Sequence, residues 1–68
     1  MDEKVFNKGI RKFLKQVGIT SQAEIENAVG TAIQQCQFKG NEQLKATITL
    51  EIDGLGKIHR LQGVIPLE

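Results

Sequence analysis

With 68 residues, nine basic against eight acidic side chains and a net charge of +1, the chain has room for one domain and a thin core. A core of that size rarely supplies more than about 3–5 kcal/mol. One cysteine, Cys36, and one histidine, His59, exclude an internal disulfide and the Cys/His clusters that hold zinc, so self-association is the route left for further burial.

No apolar run approaches the roughly 18 residues that cross a bilayer. The opening "MDEKVFNKG" lacks the basic-then-apolar order of a secretory leader, so the expectation is a soluble, cytoplasmic protein with no membrane contact. Charge is unevenly spread. Residues 1–20 hold five basic and two acidic side chains, residues 21–38 hold only Glu24 and Glu26, and the rest balances four against four.

The spacing predicts a first helix over 2–17. Phe6, Ile10, Phe13, Leu14 and Val17 fall on one arc at about 100° per residue. Lys4, Lys8, Arg11, Lys12 and Lys15 fall on the opposite arc, so this helix is strongly amphipathic. Asp2 and Glu3 suit the positive end of the helix, and Gly18 is placed to stop it in a left-handed C′ position.

A second helix is predicted over 22–38. Ser21 and Glu24 form an S-x-x-E capping box at its start, with Ile19 positioned to staple onto its first turn. Ile25, Ala28, Val29, Ala32, Ile33 and Cys36 make its apolar stripe, and Lys39-Gly40 is its stop.

The period then shortens to two. Leu44, Ala46, Ile48, Leu50 and Ile52 alternate with Lys45, Thr47, Thr49 and Glu51, which predicts a strand over 43–52. "DGLG" at 53–56 is turn chemistry, and a second strand over 57–65 directs His59, Leu61, Gly63 and Ile65 to the same side. That facing holds for a two-residue or a four-residue loop and fails for a three-residue one. Pro66 cannot donate to a ladder, so the second strand exposes an edge there. The expected fold is a single α+β domain over 1–68. It has the order ααββ in two layers, with both helices packed on one face of the hairpin.

"VGITSQAEIENAV", residues 17–29, resembles the turn and second helix of a helix-turn-helix DNA reader. Its outer face argues otherwise, carrying Glu24, Glu26, Asn27, Gln34, Gln35 and Gln37 with no cation before Lys39. An acidic recognition helix is repelled at every phosphate, and no third helix completes the core.

The basic stripe of Lys4, Lys8, Arg11, Lys12 and Lys15 is the one feature concentrated enough to suggest a partner surface. Five cations on a helical face can follow a phosphate backbone without reading sequence, although an ordinary solvated face has the same composition. The same helix has the pattern of a membrane-surface helix, but a chain with so few apolar residues needs Phe6 and Phe13 for its core. His59 is expected on the inward face as a neutral imidazole, and Cys36 as a small buried hydrophobe. No nucleophile stands with a base and no paired carboxylates suggest a cleft, so neither an enzyme, a cofactor nor a metal site is expected.

Two stretches, "IRKFLKQVGITSQ" and the "KGNE" before the first strand, resemble a family of short bacterial proteins of unknown function, and the likeness extends over nearly the whole chain. That resemblance implies a bacterial, cytoplasmic, stand-alone domain and supplies no catalytic or binding residue. Taken together, the sequence predicts a non-enzymatic interaction or structural module, homodimeric through a hairpin edge, with a protein partner as a further option. Its alternative is weak, non-specific nucleic-acid binding by the basic face of the first helix.

Overall fold

The computed structural model describes all 68 residues as one helix followed by one hairpin: α1 (Glu3–Gln34), β1 (Gln43–Ile52) and β2 (Lys57–Pro66). Two compact units divide the chain, Met1–Gln35 and Cys36–Glu68.

The first unit corrects the expected ααββ order. A single helix of 32 residues replaces the two predicted over 2–17 and 22–38, so the pair of helices expected on one face of the hairpin does not form. Neither the Gly18 stop nor the Ser21 capping box operates, because both residues lie inside α1. Gly18 also has no left-handed φ, unlike Gly40, Gly54 and Gly56.

Magnitudes explain the outcome. Breaking the helix at Gly18 orphans up to four carbonyls and four N–H groups, and the capping box recovers about two of these. Continuing through Gly18 costs about 1 kcal/mol relative to Ala and keeps the backbone bonds, each worth about 1 kcal/mol. A fold-back repays the break only by burying apolar surface, and half of the second stripe is small: Ala28, Ala32 and Cys36 stand beside Ile25, Val29 and Ile33. In the continuous helix, Gln22 Nε2 donates to Glu26 Oε1 at 2.9 Å, an i,i+4 pair on its surface.

The two ends of α1 are capped differently. Asp2 is the N-cap, its Oδ1 accepting from the N–H groups of Lys4 at 2.9 Å and Val5 at 3.2 Å. At the other end Gln35 is the C-cap, its N–H donating to the carbonyl of Thr31 at 3.0 Å, and Cys36 follows with φ 60°. A left-handed C′ residue is the usual terminator, but the chain uses cysteine where glycine carries no penalty. The helix therefore ends before the predicted Lys39-Gly40 stop. Cys36 lies off the apolar stripe and is exposed, not buried as expected.

In the second unit the expected hairpin forms, with β2 running one residue further than expected, to Pro66. β1 and β2 pair antiparallel, Leu44 with Ile65, Ala46 with Gly63, Ile48 with Leu61 and Leu50 with His59. The strands are joined by Asp53–Gly56, the four-residue loop that preserves this facing. Leu55 N–H donates to the Ile52 carbonyl at 3.3 Å across a turn whose third residue, Gly54, has φ 82°. That is the type II pattern, and it calls for glycine at this position. His59 is on the predicted face but exposed.

Candidate interaction surfaces

Ala32 is the one buried side chain, at 9% exposure. Along α1 the less exposed residues Val17, Ser21, Ile25, Val29 and Ala32 follow i,i+4 and i,i+3 steps; of the predicted second stripe Ile25, Val29 and Ala32 are among them, while Ala28, Ile33 and Cys36 are exposed. In the first half of the helix the stripe is open: Phe6 and Phe13 are 53% and 52% exposed. Ile10 and Leu14 are exposed as well, and so is Ile19, which staples onto nothing.

The five sequence-predicted cations, Lys4, Lys8, Arg11, Lys12 and Lys15, are all exposed on this same half of α1. Lys4, Asn7, Lys8 and Arg11 line a shallow open groove of about 400 Å³. The "GIT" stretch that suggested a helix-turn-helix turn is continuous helix, which removes that geometry. No three His, Cys, Asp or Glu side chains converge as a metal-binding group, and no helix is long and apolar enough to cross a membrane.

The hairpin presents a second surface. Leu67 N–H donates to the Glu42 carbonyl at 2.9 Å, which makes Glu42 and Leu67 a hydrogen-bonded antiparallel pair. By alternation, Leu44, Ala46, Ile48, Leu50 and Ile52 turn their backbone groups toward β2. The N–H and C=O groups of Gln43, Lys45, Thr47, Thr49 and Glu51 turn outward. The sheet has two strands only, so both outer edges lack a ladder partner. Pro66 pairs with Gln43 in the register, which places its missing donor on the outer edge of β2 as expected. The apolar face is itself open to solvent, with Ile48 44% and Leu61 64% exposed.

One local device escaped sequence reasoning. The "KGNE" segment is a turn closed by its own carboxylate: Glu42 Oε2 accepts from Lys39 N–H at 2.8 Å, and Oε1 from Gly40 N–H at 2.8 Å and Asn41 N–H at 3.1 Å. These bonds, led by the one from Lys39, hold the Glu42 carboxyl below its ordinary pKa. Gly40 has φ 106°, which suits glycine, and it aims successive N–H groups at one anion. The segment therefore starts β1 rather than receiving a ligand. Its signal in sequence was an acidic residue two places after a glycine, a pattern also common in ordinary loops.

The model of a family described as a family of unknown function (DUF6494) matches residues 1–68. No match is found among curated proteins or among solved structures.

Proposed function

We propose that this chain, which belongs to the family of unknown function DUF6494, is a non-enzymatic module that works by self-association through its hairpin edge. The observation that carries this reading is the exposed apolar face of a sheet with two strands and two unpaired edges. A hairpin of this kind is marginal alone and becomes independently stable with further strands or a covering element. An open ladder is also a template for a second copy. Fixing each residue's backbone costs about 1–2 kcal/mol, and one buried alanine offsets little of that, so burial from outside the chain supports the folded state.

The concentration dependence of thermal unfolding tests the reading. A self-associating chain melts at rising temperature as concentration rises, because assembly draws on the folded form alone. A midpoint that stays constant over a hundredfold range of concentration removes it.

The groove among Lys4, Asn7, Lys8 and Arg11 supports a second reading, contact with a phosphate backbone. Binding of that kind weakens steeply with salt and disappears when Lys8, Arg11, Lys12 and Lys15 are neutralised. Binding that ignores both excludes it.

A further inference from the structure

The outer edge of β1 reads nearly the same in both directions about Ile48. Leu44 mirrors Ile52, Lys45 mirrors Glu51, Ala46 mirrors Leu50, and Thr47 mirrors Thr49. From this symmetry, and resting on the self-association reading above, we infer that two copies of the chain join β1 to β1 antiparallel about a two-fold axis at Ile48. The product is a four-stranded sheet in the order β2-β1-β1-β2.

Three observations converge on this occupant. The backbone groups of Lys45, Thr47, Thr49 and Glu51 point outward, so in this register each residue meets one whose groups also point outward. The join then makes about eight hydrogen bonds from groups that have no ladder partner in the single chain. The side chains also match: Lys45 of one copy stands opposite Glu51 of the other, and Thr47 opposite Thr49, each pair occurring twice. Opposite charges and paired threonines are favourable cross-strand neighbours. A parallel, in-register join sets lysine beside lysine and glutamate beside glutamate. Finally, a two-fold axis normal to the sheet keeps the two apolar faces on one side, so Leu44, Ile48 and Ile52 extend into a continuous surface across the join. The edge of β2 is the poorer choice, since it carries no opposite-charge match and Pro66 removes one of its donors.

The test uses the full chain with Cys36→Ser as background. Ile48 faces its own copy at a non-hydrogen-bonded position, where Cα atoms lie about 4.5 Å apart, within disulfide range. Under mild oxidation Ile48→Cys is expected to cross-link at least tenfold faster than Ala46→Cys or Leu50→Cys, whose copies lie about 13 Å apart along the strands. Charge reversal is an independent readout. Lys45→Glu or Glu51→Lys alone weakens the dimer about tenfold by sedimentation, and the double reversal returns it to within about threefold of the parent.

Equal cross-linking at the three β1 positions, preferential cross-linking of Leu61→Cys on β2, or a double reversal as weak as the single ones overturns the register. If the parent still sediments as a dimer, the self-association reading stands. A parent that sediments as a monomer at every concentration overturns both.

Discussion

Glu42 holds three backbone N–H groups with one carboxylate, and the energetic role of that arrangement follows from its ionisation. Its folded pKa lies below the ordinary value of 4.5 because the N–H groups, Lys39 first, favour the charged form. A depressed carboxyl pKa contributes stability that is present above the unfolded value and is lost as pH falls through the folded one. Glu42→Gln is therefore expected to destabilise the chain at neutral pH and to approach the parent in acid. Urea unfolding of both proteins at pH 7 and at successively lower pH checks this, and a stability gap that is constant or widens in acid contradicts it. Cys36 is the other residue of this kind. At φ 60° it occupies a conformation that suits glycine, and nothing in its chemistry announced that in the sequence. Periodicity placed it on a stripe because periodicity cannot see where the last turn of a helix ends.

At the level of elements, the hairpin was legible and the helix boundary was not. Alternation over Leu44 to Ile52 is a long signal, and either even loop length at "DGLG" gives the observed facing, while the register itself came with the four-residue loop of the structure. The two-helix reading rested on Gly18 and the Ser21-Glu24 box, which are local signals. A capping box within otherwise helical sequence competes with the backbone bonds that it interrupts, and it wins when tertiary burial repays the break. That burial was invisible in the sequence. Gly18→Ala discriminates between the two structures directly. Within a continuous helix, where a Cβ at Gly18 meets nothing within 4 Å, alanine is expected to stabilise by about 0.5–1 kcal/mol. At a left-handed C′ stop the same substitution destabilises by about 1 kcal/mol or more. Chemical denaturation reads the sign.

For the whole molecule, the amphipathic pattern was read correctly and its use was not. Phe6, Ile10, Phe13 and Leu14 form the predicted stripe, yet they are exposed, as are Ile48, Ile52 and Leu61 on the sheet. Sequence shows which residues seek burial and is silent on whether the covering surface comes from the same chain. Exposed apolar surface on this scale and open strand edges are what the proposed self-association rests on. The five cations of α1 are all exposed, and a cationic surface of this kind exerts a general attraction on anions. Concentration-dependent amide hydrogen exchange tests the strand-edge association most directly. As the chain is concentrated, the outward N–H groups of Lys45, Thr47, Thr49 and Glu51 are expected to become protected, while the inward ones of Ala46, Ile48 and Leu50 are protected throughout. Outward amides that exchange equally fast at every concentration contradict it.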